Sequence, residues 1–191
     1  CIILPMSKLT HLDEHGRAMH KSAGNVVAPH EVIKKMGADV LRLWVALSDY
    51  SDDVRISDKL LEGPCDSYRK FRNTVRYLLG NTSDFNAQRD LVAFKDLPEL
   101  ERYVLHRLSL VQNAVLSDYE SFRFRSAALR LIEFCAFDLS SFYLDVVKDR
   151  LYTFAIADPA RRAAQTVMAE CLERLLMLAA PILSFTAEEA W

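Results

Sequence analysis

A lysine, a serine and small polar residues cluster in one short segment, residues 18–25, near the start of the chain. Lys21 offers a cation, Ser22 offers a hydroxyl, and Gly24-Asn25 can adopt positive φ at little cost. This combination is suited to a loop that closes over an anion such as a triphosphate. The residue types alone also fit a solvated turn that contains a lysine. The segment is therefore a candidate phosphate-binding loop.

Spacing excludes the glycine-rich phosphate loop known as the P-loop. That loop needs glycine immediately before Lys-Ser and a second glycine five residues earlier. This chain has His20 and His15 at those two positions. Any phosphate contact at Lys21 must therefore use a different loop geometry.

A second set of candidate residues lies along one face of a helix predicted over residues 66–81. The set is basic or amide in character and consists of Arg69, Lys70, Arg72, Asn73 and Arg76. No acid is interleaved between them, and unpaired like charges on one helix face are mildly destabilising. Contacts to a phosphate backbone require such an excess of guanidinium groups, but surface charge more often marks a solvated face. The residue types leave both interpretations open. Arg123 and Arg125, at the entrance to a later apolar helix, are secondary candidates for RNA contact.

The elements that position these residues are predicted to be mostly helices. Only 5 glycines and 6 prolines occur in 191 residues, which favours long helices over many short strands. Strand-like signals are confined to residues 1–28, where residues 13–16 have the composition of a hairpin turn. The strand-like piece at residues 1–28 is predicted to have no parallel partner strand in this chain, and residues 48–56 are predicted to be a linker. The predicted helices cover residues 29–36, 38–47, 57–81 with a break at Gly63-Pro64, 99–119, 126–154 and 161–180. Pro29 is predicted to start the first helix and Gly37 to end it, and Ser57 and Asp158 are predicted N-caps. The helix over 126–154 is hydrophobic nearly all round and is therefore predicted to be the buried centre of a bundle.

Composition limits the possible classes of function. Hydrophobic residues make up 51% and charged residues 26% of the chain, which argues for a folded core and against disorder. Because the net charge is −2, a nucleic-acid surface would have to be a local patch. The 4 cysteines are scattered without a Cys-x-x-Cys pair, so neither a zinc site nor a disulfide framework is predicted. No apolar run approaches ~20 residues, so we expect a cytoplasmic protein without a membrane span.

Residues 13–29 resemble the Lys-Met-Ser-Lys-Ser loop of class I aminoacyl-tRNA synthetases, including the Gly-Asn-Val-Val and proline that follow it. The chain departs from that pattern at Ala18, which replaces the first lysine, and at His20, which replaces the first serine. The resemblance implies that Lys21 and Ser22 are catalytic residues that stabilise the triphosphate of ATP as the aminoacyl-adenylate forms. The implied ATP-binding set is Met19, His20, Lys21, Ser22, Gly24 and Asn25. His20 could add a donor or, when protonated, a charge.

Four further segments resemble the isoleucine enzymes of this family, at residues 53–57, 97–105, 138–145 and 180–189. The first of them resembles the isoleucine enzymes more closely than their valine and leucine relatives. The resemblance implies an all-α fold, with an anticodon-binding helical bundle at residues 50–191. A short β-hairpin and α tail of the catalytic domain, residues 1–49, precedes it. The resemblance also favours RNA contact for the basic face of the helix over 66–81.

For the complete enzyme, the resemblance implies activation of isoleucine with ATP and Mg²⁺, followed by transfer to tRNA-Ile. The chain itself lacks a nucleotide-binding fold, an editing domain and a cysteine cluster for zinc. We therefore expect an inactive fragment with no metal site of its own. Two alternatives stay open, a valyl-tRNA synthetase fragment and a helical protein-interaction module that never touches RNA. The salt dependence of binding separates the last alternative, because phosphate contacts weaken steeply as salt rises.

Overall fold

The computed structural model describes residues 11–13, 16–20, 22, 25–50 and 53–191. Its strands are β1 (His11–Leu12) and β2 (Val54–Arg55). Its helices are α1 (Pro29–Met36), α2 (Ala38–Leu47), α3 (Asp58–Asn81), α4 (Ala87–Asp90), α5 (Glu99–Glu120), α6 (Phe124–Glu133), α7 (Leu144–Val146), α8 (Lys148–Thr153), α9 (Pro159–Ala179) and α10 (Ser184–Ala190). A π-helical segment, Phe134–Tyr143, joins α6 to α7. The predicted all-α fold is confirmed.

Local sequence signals explain where several helices begin and end. Pro29 occupies the first turn of α1, where its missing N–H group costs no hydrogen bond. Gly37 ends α1 with φ of 92°, a conformation that L side chains rarely adopt. The side chains of Ser57 and Asp158 accept hydrogen bonds from first-turn N–H groups of α3 and α9. These four predicted boundaries are confirmed.

The main hydrophobic core is organised around α9. Helices α3, α5 and α6 and the π-helical segment pack around it and contribute buried apolar side chains. Fully buried members include Phe71, Leu78, Leu108, Phe134, Leu139, Tyr143, Val167, Met168, Cys171 and Leu175. Burial raises the pKa of the Cys135 and Cys171 thiols far above the usual range, so both remain unreactive thiols.

The predicted helix over residues 126–154 is confirmed in extent, because residues 126–153 are helical except at Val147, but it is neither one regular α-helix nor the buried centre of the bundle. The chain there is divided between α6, the π-helical segment, α7 and α8. Because this stretch is apolar on nearly all sides, the side that faces away from the bundle leaves apolar residues in solvent. As a result Phe137, Phe142 and Val146 are exposed. The buried centre of the bundle is α9 instead.

The predicted helix break at Gly63-Pro64 is also wrong. Helix α3 runs through Pro64 without interruption from Asp58 to Asn81. Proline removes one backbone donor and costs helix stability, but side chains on both sides of it are anchored. Leu61 lies in one hydrophobic cluster and Phe71 in another, so tertiary packing holds the two halves of the helix in line.

A second, smaller hydrophobic core lies beneath the segment that carries the candidate loop. Its buried members are Val32, Ile56 and Leu61, and the partly buried side chains packed on them are Met19, Val27, Met36, Leu41 and Trp44. Strands β1 and β2 pair in parallel beside it, and the Ile56 N–H donates to the Leu12 carbonyl at 3.1 Å. Two predictions are therefore wrong: that residues 48–56 are only a linker, and that the strand-like piece at residues 1–28 has no parallel partner in the chain.

Candidate nucleotide loop and nucleic-acid face

A tight turn introduces the candidate loop. The Asp13 N–H donates to the Arg17 carbonyl at 2.9 Å, and the Gly16 N–H donates to the Asp13 carbonyl at 3.0 Å. Gly16 has φ of 76°, which glycine tolerates without strain. Beyond the turn, Leu12 and Ala18 form an antiparallel bridge. The predicted hairpin is therefore confirmed at these residues, and its part before residue 11 lies outside the described residues.

The carboxylate of Asp13 organises the turn from inside. Asp13 is 6% exposed. One carboxylate oxygen accepts the Arg17 backbone N–H at 2.9 Å, and the other accepts the Arg17 Nε at 3.0 Å. The second oxygen also accepts a hydrogen bond from the Asn25 side chain at 3.0 Å. A buried carboxylate with these donors fixes both ends of the segment that contains the loop.

Asn25 closes the loop across its base. Its Oδ1 accepts the backbone N–H of His20 at 2.9 Å, and its Nδ2 donates to the Ala18 carbonyl at 3.2 Å as well as to Asp13. The amide of Asn25 thus serves the backbone of the loop. Among the predicted ATP-binding residues, Asn25 therefore stabilises the conformation of the loop.

The other predicted loop residues divide into anchored, exposed and undescribed ones. Met19 packs on the smaller hydrophobic core, whereas His20 and Ser22 are exposed. Lys21 and Gly24 lie outside the described residues. An anchored methionine followed by exposed polar side chains is an arrangement that can present donors to an anion.

An open groove of about 550 Å³ adjoins the loop between α1 and the start of α3. Its polar lining carries both signs of charge and includes Asp13, Arg17, Asn25, Glu31, Lys35 and Asp58. Lys35 and Asp58 form an ion pair across it. Because the charges are mixed and exposed, the groove has no strong preference for an anion.

The predicted basic stripe on α3 is partly neutralised. Arg69 pairs with Asp66 at 3.1 Å. The guanidinium of Arg72 donates to both carboxylate oxygens of Glu189 at 2.9 and 3.1 Å. The hydrogen bonds to Glu189 and then to Tyr68 raise the pKa of Arg72, and the same ion pair lowers the pKa of Glu189. Glu189 lies on α10, so sequence spacing along α3 could not reveal it.

Three members of the stripe keep their side chains available. Lys70, Asn73 and Arg76 are exposed, and in the described part of the chain none of their side chains forms an ion pair or a hydrogen bond; the Thr74 hydroxyl donates only to the Lys70 backbone carbonyl. These three residues supply two cations and an amide on one side of α3.

A groove of about 580 Å³ runs beside Lys70 and Asn73, between α3 and the π-helical segment. Its lining adds hydroxyl, aromatic and basic groups from Thr74, Tyr77, Phe137, Ser140, Ser141 and Lys148. The Thr74 and Ser140 hydroxyl oxygens are 3.0 Å apart and tie the groove's two walls together. Phe137 is 68% exposed. Cations beside an exposed aromatic face suit an unstacked nucleotide, which needs both phosphate and base contacts.

The secondary candidates Arg123 and Arg125 are engaged differently. Arg123 pairs at 2.9 Å with Asp118, whose side chain is 3% exposed and which also accepts a hydrogen bond from Arg130 at 2.8 Å. Burial raises the pKa of Asp118, but hydrogen bonds from Ser126 and these arginines outweigh it and lower the pKa overall. Arg125 lies 4.0 Å from Asp49, and both side chains are exposed.

The described residues contain no group of three or more His, Cys, Asp or Glu side chains that could hold a metal ion. In the same part of the chain, none of the helices has the length and apolar character needed to cross a membrane.

Sequence reasoning missed the long-range contacts of Asp39 and Arg42, two charged residues of α2. The Arg42 guanidinium donates to the Ile182 and Pro181 carbonyls at 2.7 and 2.8 Å. Asp39 is buried and accepts hydrogen bonds from Thr186. An acid and a base three residues apart at the start of a helix were the available signal, but their contacts are about 140 residues away.

Two family models match the chain. The model described as "tRNA synthetases class I (I, L, M and V)" matches residues 6–57, and the model described as "Anticodon-binding domain of tRNA ligase" matches residues 101–191. The chain is also similar to curated isoleucine–tRNA ligases. It is 51% identical over 188 residues to that of Syntrophotalea carbinolica and 50% identical over 186 residues to that of Bordetella petrii. These alignments cover 97% and 96% of the chain but 20% of each relative.

Two solved structures share the fold. The LeuRS of Agrobacterium radiobacter, in a ternary complex with tRNA and LeuAMS, superposes with a TM-score of 0.72 at 22% identity, covering 96% of this chain and 21% of that one. The methionyl-tRNA synthetase of Mycobacterium tuberculosis, in complex with methionyl-adenylate, gives 0.71 at 17% identity, covering 94% and 36%. At these identities the likeness supports the fold alone.

Proposed function

The chain belongs to the class I tRNA synthetase family of the isoleucine, leucine, methionine and valine enzymes, and on that premise we propose that it is part of an isoleucine–tRNA ligase. It spans about a fifth of the length of the curated relatives it matches. The observation that carries the proposal is 51% identity to such a ligase across 97% of the chain. The proposed activity is activation of isoleucine with ATP and transfer to tRNA-Ile, in the cytoplasm.

We propose that the loop at residues 18–25 acts on the triphosphate of ATP. Lys21 and Ser22 are the proposed catalytic residues, and Met19, His20, Gly24 and Asn25 complete the ATP-binding set. The hydrogen bonds of Asn25 to the His20 N–H and to Asp13 support this, because they hold together the two described ends of the segment that carries these residues. The described residues contain no carboxylate cluster that fits Mg²⁺, so no Mg²⁺ ligand is assigned to this chain.

We propose that α3 and the groove beside it bind tRNA-Ile. Lys70, Asn73 and Arg76 carry most of the proposed contact because their side chains are exposed and unpaired within the described residues. Arg69 and Arg72 would contribute once they leave the carboxylates of Asp66 and Glu189 and pair with phosphates of the tRNA instead. Arg123 and Arg125 remain secondary contacts. The boundary of this binding region at residue 50 stays a prediction.

Binding to tRNA-Ile at several salt concentrations tests this interface. An anticodon-altered transcript serves as the RNA control. We expect affinity that falls steeply with salt and weakens with the altered anticodon. Arg76→Gln should lower the salt slope by about 1, whereas Arg102→Gln, at an exposed arginine of α5, should leave it unchanged. Salt-independent binding, or none, would favour a protein-interaction module.

Adenylate formation in the complete ligase tests the loop. We expect isoleucine-dependent, not valine-dependent, exchange of pyrophosphate into ATP. Lys21→Ala should slow this exchange with little change in tRNA affinity, because a loop lysine acts on charge that develops in the transition state. A valine-dependent exchange would instead identify a valyl enzyme.

A further inference from the structure

A corner between α9 and α10 is held by two charged residues of α2. The Arg42 Nε donates to the Ile182 carbonyl at 2.7 Å and its Nη2 donates to the Pro181 carbonyl at 2.8 Å. These carbonyls lie just beyond the C-terminus of α9, where backbone acceptors lack helical partners. A guanidinium with two donors on adjacent carbonyls fixes both the position and the direction of the turn.

Asp39, one turn earlier on α2, holds the other side of the same corner. Leu183 occupies the N-cap position of α10 and has no side-chain acceptor for the free N–H groups. Asp39, on α2, provides the missing acceptor. Its carboxylate accepts hydrogen bonds from the Thr186 N–H at 2.7 Å, the Thr186 hydroxyl at 2.6 Å and the Phe185 N–H at 3.4 Å. Asp39 is 4% exposed, so these bonds are shielded from water.

The same helix is joined to the candidate loop through its apolar faces. Leu41 and Trp44 pack on the smaller hydrophobic core, where Met19 of the loop also lies. Leu43 and Ala46 are buried in the main core. Helix α2 therefore packs into both cores, and its polar residues Asp39 and Arg42 form hydrogen bonds with the α9–α10 corner.

A chain of side-chain contacts continues from the corner to the proposed tRNA face. The Thr186 hydroxyl oxygen lies 3.0 Å from the Tyr68 hydroxyl oxygen. Arg72 donates to that Tyr68 oxygen at 3.3 Å and to Glu189 of α10. A change in the ion pair between Arg72 and Glu189 would therefore act on α10, the helix whose Thr186 donates to Asp39.

We propose that Asp39 and Arg42 are positioning residues that fix the loop-bearing end of the chain to the helical bundle at the α9–α10 corner. This rests on the proposed function, in which one end acts on ATP and the other binds tRNA. The hydrogen bonds of Asp39 and Arg42 to residues 181–186 form a clasp. This clasp sets the distance and orientation between the ATP loop and the tRNA-binding face. Loss of the clasp should impair charging of tRNA more than formation of the adenylate.

The test uses the complete ligase with Arg42→Gln as the main variant. Arg42 is exposed, so its replacement leaves both cores intact. Arg42→Lys keeps the charge but cannot reach both carbonyls as a planar fork, and Asp39→Asn weakens the cap of α10. Arg102→Gln is the matched control, since it removes an exposed arginine of α5 outside the corner. Each variant is compared with the wild type in pyrophosphate exchange, in tRNA-Ile charging and in thermal unfolding.

We expect Arg42→Gln to lower kcat/KM for tRNA-Ile charging about tenfold, because small misplacements of bound groups are costly. Pyrophosphate exchange without tRNA should stay within about twofold of the wild type. Arg42→Lys should recover part of the loss, and Arg102→Gln should show none. Equal losses in exchange and charging, or unchanged charging by Arg42→Gln, would overturn the positioning role. A wild-type enzyme without isoleucine-dependent exchange would instead overturn the proposed function, and this proposal with it.

Discussion

At the scale of single residues, the backbone of the candidate loop depends on two side chains at its base, those of Asn25 and Asp13. The amide of Asn25 bonds to the backbone at Ala18 and His20, and the buried carboxylate of Asp13 holds that amide in place. A carboxamide can satisfy such a mixed set of donors and acceptors, whereas a carboxylate cannot. The shape of the loop is therefore set at its base.

Asn25→Ala should open the base of the loop. The His20 N–H loses its acceptor, and we expect its hydrogen exchange to accelerate about tenfold, as the loss of one hydrogen bond of about 1.4 kcal/mol predicts. Amide exchange measured by NMR checks this. Val26→Ala, an adjacent exposed position, is the control and should leave His20 unchanged. Equal protection of His20 in both variants would show that the amide does not hold the loop.

Asp84 makes the stability of the bundle sensitive to acid. The hydrogen bond from Arg161, followed by that from Gln165, outweighs desolvation and lowers the pKa of Asp84 from 3.8 to about 2. A lowered folded-state pKa stabilises the native state above pH 3.8, and this contribution is lost as the pH falls toward 2.

Asp84→Asn should therefore destabilise the protein at pH 5 and have almost no effect near pH 2. We expect a difference of about 1 kcal/mol at pH 5, after allowing for solvent screening of a partly exposed pair. Urea denaturation of both proteins across this pH range measures it. A difference that is the same at both pH values would contradict the assigned ionisation.

At the scale of elements, the end of α5 explains why Arg123 is held where it is. The Arg123 N–H donates to the Asp118 carbonyl at 2.7 Å and the Phe122 N–H donates to the Tyr119 carbonyl at 3.0 Å, the two bonds of a Schellman motif. The Arg123–Asp118 ion pair spans the same positions. Phe122 takes the left-handed conformation, with φ of 57°, that glycine usually provides.

Phe122→Gly should stabilise the protein. The phenyl ring is 70% exposed, so little burial is lost, while the strain of a left-handed non-glycine residue is removed. We expect the free energy of unfolding to rise by about 0.5–1 kcal/mol, measured by urea denaturation. Phe122→Ala keeps the Cβ atom and should give no such gain. A gain shared by both variants would point to the ring and not to the backbone.

At the scale of the whole molecule, the two hydrophobic cores are linked by long elements. Helix α3 contributes Leu61 to the smaller core and Phe71 to the main core, and α2 contributes to both. A substitution in either core therefore acts on helices that also belong to the other core. This continuity supports the proposed positioning role of Asp39 and Arg42.

Phe71→Ala should destabilise the main core strongly. The ring is fully buried, and replacement by alanine leaves a cavity, so we expect the free energy of unfolding to fall by about 3–5 kcal/mol. Guanidinium denaturation measures the change. Phe137→Ala, at a side chain that is 68% exposed, should cost far less. Similar losses in the two variants would contradict the described core.

The sequence by itself determined the features that depend on local chemistry. Caps at Ser57 and Asp158, the proline start of α1 and the glycine end at Gly37 are recognisable because each acts within one helical turn. Helical periodicity likewise predicted the all-α fold, and the motif at residues 13–29 indicated the family. The functional residues of the loop stay predictions from the sequence, and the hydrogen bonds of Asn25 and Asp13 at its base were not predicted.

Only the tertiary structure decided which of these groups meet. The continuity of α3 through Pro64 depends on packing into two cores, which no local propensity records. The contacts of Arg42 with Pro181 and Ile182, and of Asp39 with Thr186, join residues about 140 positions apart. Sequence patterns report free energies within a turn or two, whereas such contacts form only once the whole chain has folded. For the same reason Glu189, which neutralises part of the basic stripe, was visible only in three dimensions.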